Sequence, residues 1–386
     1  MKKVGIILLV FTLLAGCSLI PQINEQGSKD PDQVNPSKDL ALVLKPNEQA
    51  VEYKGKPVVQ ACDIITVDDL EKVGLSLEVP FFALDRVYFD GEGKGELETP
   101  RGHRPSMNTN ECKYVVRGKD SVIVEVYEPS YTSQSQLDYE MEYNFDAIPD
   151  IEGVKAYAYN NEDIREYRLQ HDSLTVDINF NFLDVDEKRE KQLLPIVAKR
   201  LTQLEGNPTG PIRAEYESDL FSADFVNGCD YIKNEDFQNL FGEDAGPLVS
   251  EQISSSVRQL LDAKDTYYYI EHRCARGFER FSGEMKLLSI ETESHVDAQS
   301  AAGTFKGMKE AETNPAIGNE LQEINPIGDE SYYSESEDGI WRIKFRQGRV
   351  IVGMSFVDTE LNSTTEQKIE RLTPIAQAVA ERMKDL

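Results

Sequence analysis

Cysteine and histidine, the side chains most often recruited for nucleophilic and metal chemistry, are scarce in this chain of 386 residues, which holds five and four of them. His103, His171, His272 and His295 show neither His-x-x-x-His nor His-Glu-x-x-His spacing, so their order does not point to a zinc hydrolase. No Gly-x-Ser-x-Gly elbow and no Ser-x-x-Lys occurs. Gly91-Glu-Gly-Lys-Gly95 lacks the spacing and the Lys-Ser/Thr ending of a phosphate loop, and its acidic neighbours would repel phosphate. Three acidic stretches, Asn160–Asp163, Asp184–Glu187 and Ser334–Asp338, lack the glycine and the final glutamate of a calcium loop. Asp184 and Asp186 read better as charges that favour the start of the helix after them. Tyr139, Tyr143, Tyr157, Tyr159, Tyr267, Tyr268 and Tyr269 either line a groove or form the half-wet rim of sheets and helices. The expectation is a chain with no catalytic centre, no bound metal and no cofactor.

The cysteines are more informative. Lys2 and Lys3 precede an apolar run, Val4–Leu14, that is too short to span a bilayer. It ends at Leu14-Ala15-Gly16-Cys17, which resembles the bacterial lipobox. That resemblance implies cleavage before Cys17, acyl chains on its thiol, and anchoring to the cell membrane on the extracytoplasmic face. Two or more chains hold firmly where one does not, since each buried methylene contributes about 0.8 kcal/mol. Residues 1–17 are then a lipoprotein signal peptide, and the mature chain works where disulfides persist.

Cys62, Cys112, Cys229 and Cys274 remain, and four cysteines allow three pairings. One pairing respects an internal echo. Ala61-Cys-Asp-Ile-Ile-Thr-Val-Asp-Asp-Leu-Glu-Lys-Val-Gly74 returns as Gly228-Cys-Asp-Tyr-Ile-Lys-Asn-Glu-Asp-Phe-Gln-Asn-Leu-Phe-Gly242. Pairing Cys62 with Cys112 and Cys229 with Cys274 closes similar loops, 112 − 62 = 50 and 274 − 229 = 45. Zinc is the competing reading, but no Cys-x-x-Cys or paired histidine accompanies these positions.

The elements needed to position such groups recur in the same order. After Thr66, an N-cap with Asp69 three residues on, a short helix carries Leu70 and Val73 and stops at Gly74. Asp85–Asn110 reads as irregular. Strands are expected at Cys112–Val116, Val122–Tyr127, Val154–Tyr159, Ile164–Leu169 and Leu174–Phe180, with helices at Ser133–Phe145 and Asp186–Leu204. The second half offers strands at Tyr267–Cys274, Met285–Thr292, Tyr332–Tyr333, Ile340–Phe345 and Val350–Phe356, and helices at Asp297–Ala311 and Thr364–Met383. Pro195 and Pro374 sit inside both final helices, marking a shared kink or a late helix start. The fold class expected is α+β: two similar domains, 58–206 and 212–386, each a mainly antiparallel sheet in meander order with packed helices and one disulfide. Each sheet is expected to hold about five strands. Residues 18–57 read as a flexible tether in which Leu40–Leu44 packs locally or forms a stray strand, and Asn207–Pro211 reads as a hinge.

Cys62-Asp-Ile-Ile-Thr-x-Asp-Asp-Leu70 before a glycine resembles a group of actinobacterial lipoproteins of unknown function that carry Cys-x-Leu-Leu-Thr-x-Glu-Glu-Val. Gly328-Asp-Glu-Ser-Tyr332 is similar to the Gly-Asp-x-Ala-Tyr of that group, whereas Gly153-Val-Lys-Ala-Tyr157 lacks the aspartate. The group also resembles extracellular sensor domains of some mycobacterial receptor kinases and, more distantly, PsbP/Mog1 α/β/α folds. The resemblance implies an exported α+β domain and no catalytic residue.

A hydrophobic content of 40% supports packed cores. A net charge of −28 argues against nucleic acid, whose backbone such a surface repels. The expected function is a membrane-anchored binding or sensing module for an unknown ligand or envelope protein, in contact with the membrane through Cys17. An envelope-acting enzyme using carboxylates and a structural envelope spacer are the alternatives. Local function is expected where the two copies differ, at Asp85–Asn110 and Val249–Asp265.

Overall fold

The computed structural model describes residues 41–46, 51–53, 55–75, 83–89, 110–117, 120–128, 145–160, 165–181, 187–204, 212–217, 225–259, 266–279, 284–313, 320–336, 340–360 and 363–386. In chain order, β1 (Ala41–Pro46), β2 (Glu52–Tyr53) and β3 (Lys56–Pro57) lead into α1 (Ala61–Ile64) and α2 (Val67–Lys72). Seven strands follow: β4 (Ala83–Phe89), β5 (Asn110–Arg117), β6 (Asp120–Tyr127), β7 (Asp146–Ile151), β8 (Val154–Asn160), β9 (Arg165–His171) and β10 (Leu174–Asn181). Then come α3 (Glu187–Leu204), β11 (Ile212–Glu217), a 3₁₀ turn (Gly228–Asp230) and α4 (Asn234–Phe241). The chain closes with β12 (Leu248–Gln259), β13 (Thr266–Glu279), β14 (Met285–His295), α5 (Ala298–Glu312), β15 (Glu320–Gln322), β16 (Glu330–Glu335), β17 (Trp341–Gln347), β18 (Val350–Asp358) and α6 (Thr365–Arg382).

Fourteen of these strands form one sheet, in the order β15-β16-β17-β18-β14-β13-β12-β4-β5-β6-β10-β9-β8-β7. All the ladders between its named strands are antiparallel, so the protein is mainly antiparallel sheet with packed helices and two disulfides. The expectation of two sheets of about five strands is thus replaced by a single sheet. Its middle ladder is β4 against β12, seven residue pairs from Leu248↔Phe89 to Ser254↔Ala83. Meander order also fails at one place in each half, because β10 lies beside β6 and β18 beside β14.

Asp85–Asn110, read as irregular, opens inside β4 and ends on the first residue of β5, with residues 90–109 outside the described residues; the tether contains β1, where a stray strand was one of two expectations, and also β2 and β3. β1 pairs along its whole length with β11, just after the expected hinge. Val51, Tyr53 and Val58 are buried with Phe89 and Leu248, so this segment packs over the β4–β12 seam. The helix expected at Ser133–Phe145, the loop Gly91–Gly95 and the hinge Asn207–Pro211 lie outside the described residues, apart from Phe145 itself.

Alternation within strands gives the sheet two different faces. On one face sit the cystines. There Leu84, Tyr114, Val124, Ile178 and Leu169 pack under Leu193, Val197 and Leu201 of α3. Leu288, Ile290, Ile343, Phe345 and Met354 pack under Leu372, Ala376 and Val379 of α6. Both helices begin well before their proline and continue past it, so Pro195 and Pro374 mark no late start. The other face is more polar. Its described helix, α5, touches the sheet through Ala301 and Phe305, against Tyr332 and Ile351.

The disulfides join Cys62 to Cys112 and Cys229 to Cys274, with Cα–Cα distances of 5.2 Å in both. Each ties the turn before a short helix to the strand beneath it. Thr66 caps α2 as expected: its hydroxyl accepts from Asp69 N, and its own amide donates to the Asp69 carboxylate. At the equivalent point before α4, Lys233 N donates to Asp236 Oδ2 at 2.8 Å. The Gly328-Asp329 motif is also structural. Asp329 Oδ2 accepts from Gly348 N and Arg346 Nη1, and a Cβ on Gly328 (φ 62°) would come within 2.4 Å of Arg346 O.

Candidate functional site at the centre of the polar face

The two segments where function was expected meet each other. β4 and β12 form the seam, and their side chains on the polar face begin a row that crosses the sheet: Lys113, Asp85, Gln252, Arg273 and Glu291 are successive cross-strand partners. Asp85, Lys113 and Arg273 are about one-third exposed, with side-chain values of 30%, 35% and 33%. Charged groups are normally either fully solvated or fully paired. This row is part-exposed and paired within itself, with Lys113 Nζ 4.0 Å from Asp85 Oδ2 and Arg273 Nε 3.1 Å from Glu291. Burial pushes Asp85 upward, against the pull of Lys113 and a hydrogen bond from Gln252.

One row along, the acids crowd together. Glu271 lies opposite Glu293, and Arg273 lies opposite Glu291. One carboxylate oxygen from each of Glu271, Glu291 and Glu293 falls within 4.8 Å of the other two. Arg273 Nε stands 2.7 Å from Glu271 and 3.1 Å from Glu291, and Arg342 Nη1 reaches Glu291 at 3.2 Å. Burial first, and then the like charge of Glu291, push Glu271 up to about 7. Two residues beyond Glu293, His295 is fully buried and stacks on Tyr269 with ring centroids 5.5 Å apart. Among the described residues neither of its ring nitrogens has a hydrogen-bond partner, and Nε2 lies 3.5 Å from Glu293 Oε2.

The cystine face of the seam carries a different device. Arg86 and Glu251 face each other across β4 and β12 and form a buried ion pair. Glu251 also takes His272 Nε2 at 2.5 Å and Asn227 Nδ2 at 3.1 Å. His272 Nδ1 accepts from Gly228 N, so the ring clamps the Cys229 turn. Burial alone would raise Glu251, but Arg86 and then His272 hold it down at about 2. Cys229 lies beside Glu251 and His272 yet is spent in its disulfide, so these three do not form a ligand set.

The remaining candidates from sequence are scattered. Cys17 and His103 lie outside the described residues, as do Tyr139 and Tyr143. His171 is half-buried at the end of β9, and Tyr157 and Tyr159 stand on β8, far along the sheet order from Tyr269 on β13. Glu271, Glu291 and Glu293 were not singled out by sequence, and His295 was weighed only for its spacing to the other histidines. Acids at alternate positions of a strand, as Glu291 and Glu293 are, ordinarily mark a solvated sheet face, yet Glu293 and His295 are buried. Among the described residues no helix is long and apolar enough to cross a membrane. No known protein family, characterised protein or solved structure matches the chain.

Proposed function

We propose that the protein is a membrane-anchored, extracytoplasmic binding or sensing module built from two similar units, held to the membrane by acyl chains on Cys17. The repeat is supported by matched details. Strand order outward from the seam is the same on both sides, if β4 to β10 are set one by one against β12 to β18. Arg200 of α3 donates to Ile64 O and to Asp69, two and seven residues after Cys62. Arg382 of α6 donates to Tyr231 O and to Asp236, two and seven residues after Cys229.

The observation that carries the binding role is the part-exposed charged row Lys113–Asp85–Gln252–Arg273–Glu291. Its alternating charges suit a zwitterionic or multiply charged ligand of the envelope. The test is photo-crosslinking in the native host from a benzophenone amino acid at Gln252. A discrete adduct is expected, lost in Lys113→Glu and Arg273→Glu. Absence of any adduct, or one indifferent to both substitutions, overturns the reading. In the same cells Cys17→Ala should release the protein from membranes.

A second reading has one observation in its favour. Glu271, half-buried and raised to about 7, has the poise of a general acid or base. An envelope hydrolase would lose turnover in Glu271→Gln while keeping its affinity for substrate.

A further inference from the structure

We infer that His272 and the Asn227–Gly228 peptide form a proton-operated latch on the Cys229 turn: the peptide gives its N–H to the neutral ring and turns over to give its carbonyl to the charged one. The inference is independent of what the charged row binds. Its first support is the tautomer. Gly228 N donates to His272 Nδ1 at 3.0 Å, so that nitrogen carries a lone pair. The proton of the neutral ring therefore sits on Nε2, 2.5 Å from Glu251 Oε1. A second proton can enter only at Nδ1, where it would meet the Gly228 N–H donor to donor. The ring is 4% exposed and held through Nε2, so it does not swing away. The turn also sits tightly on it: a Cβ on Gly228 would come within 3.0 Å of Ile290 Cγ2 and 3.3 Å of His272 Nδ1.

The second support is a peptide that can turn over between fixed ends. Val226 is held by Ser294 Oγ and Thr292 Oγ1, and Cys229 by its disulfide. Between them Asn227 stands at φ −81°, ψ 111°, from which a rotation of ψ alone leads into the helical region open to any residue. Gly228 takes up the opposing change in φ without a steric penalty. The rotation exchanges Gly228 N for Asn227 O at Nδ1, so the charged ring gains an acceptor, and it releases the Asp230 N bond to Asn227 O that opens the 3₁₀ turn. The first half makes the same clamp without these two residues. Ala61, before Cys62, donates its N–H to Asn110 Oδ1 at 2.9 Å, and Asn110 stands two residues before Cys112 as His272 does before Cys274. An amide does not titrate there, and Ala61 carries the Cβ that Gly228 lacks. The ring that takes a proton and the glycine that turns occur together, in the second half.

Histidine is the side chain that ordinarily changes its charge between about pH 5 and 8. The charge arriving on His272 meets Glu251 from β12, which Arg86 of β4 keeps ionised from behind. Farther along the same face of β13, Arg276 donates to Ile232 O. β14 presents Ile290 and Thr292, which carry no charge, and on the turn Asp230 is exposed. Glu251 is thus the counter-ion of the charged ring, and the Asn227–Gly228 peptide is the group that must move.

The experiment follows the full-length chain in detergent, ¹⁵N-labelled at histidine, by NMR from pH 7.5 to pH 5, with hydrogen exchange read by mass spectrometry on the same samples. At pH 7.5 His272 is expected as the Nε2–H tautomer over a protected turn. On acidification Nδ1 gains a proton and residues 226–232 lose protection, after correction for the intrinsic exchange rate. The ratio of turned-over to closed peptide should rise about tenfold with each pH unit below the titration of the ring. Protection of β12 should stay, which separates the latch from unfolding. His272→Asn installs the residue of the first half and should make exchange at 226–232 independent of pH. Three results would overturn the latch: a His272 that stays neutral throughout, one that charges while the turn keeps its protection, or a turn that opens equally in His272→Asn. The first two are read on the wild type, so they decide even where the variant fails to fold.

Discussion

Asp69 shows how much one side chain can settle. It is fully buried, caps α2 through Thr66, and meets Arg200 from a helix 131 residues later. Burial alone would raise its pKa; the hydrogen bonds from Arg200 and Thr66 outweigh this and bring it to about 2. A carboxyl that is more acidic in the folded state adds stability above its unfolded value of 3.8, and that stability is lost as pH falls from there through about 2. After allowance for the part-exposed Arg200, the contribution at neutral pH is about 1–2 kcal/mol. Urea midpoints measured at pH 7 and pH 3 should therefore differ less in Asp69→Asn than in the wild type. An unchanged difference would show that the pair is not linked to folding. Half of this pair was legible in the sequence. Thr66 and Asp69 announce a cap by their spacing, but nothing local marks Arg200, because a basic residue on a helix is ordinarily solvated.

At the scale of elements, the seam strands β4 and β12 matter most and were the least visible. Both were hidden by the residues that make them useful. Leu84-Asp-Arg-Val-Tyr-Phe89 and Val249-Ser-Glu-Gln-Ile253 break apolar alternation with Arg86 and Glu251, which face the interior of the cystine face as a buried pair. A period-two reading penalises such charges, since their partner is supplied only by the fold. By contrast β10 and β18 were legible because Leu174, Val176, Ile178 and Phe180, and Val350, Val352, Met354 and Phe356, make uninterrupted apolar rows on their inward sides. The pair gives a clean double-mutant cycle. Arg86→Met leaves Glu251 buried with less compensation and should cost about 3–5 kcal/mol. Adding Glu251→Met removes the stranded charge and should restore most of that loss. Denaturant titrations of the four proteins check it; a double variant as unstable as the single would mean that the seam needs the charges themselves.

The whole molecule is a question of cooperativity. If the chain were two domains on a hinge, its halves would melt independently, each at the temperature its own core and cystine allow. The continuous ladder from β13 through β12 and β4 to β5 makes a different demand, because neither half can lose its seam strand without exposing the other's sheet edge. Val51, Tyr53 and Val58 over Phe89 and Leu248 add a further tie across the same line. Calorimetry of the oxidised protein should therefore show one transition. Each disulfide closes a loop of similar size, 50 and 45 residues of separation, worth about 4 kcal/mol in the chain-entropy model. Replacing Cys229 and Cys274 by alanine should then lower the single transition as a whole, first half included. Weakening the seam by Arg86→Met should instead let the halves separate, so that in this background the same cystine deletion moves only one of two transitions. Two transitions in the parent protein would return the seam to a mere contact between domains, and would leave the charged row on a surface that opens and closes.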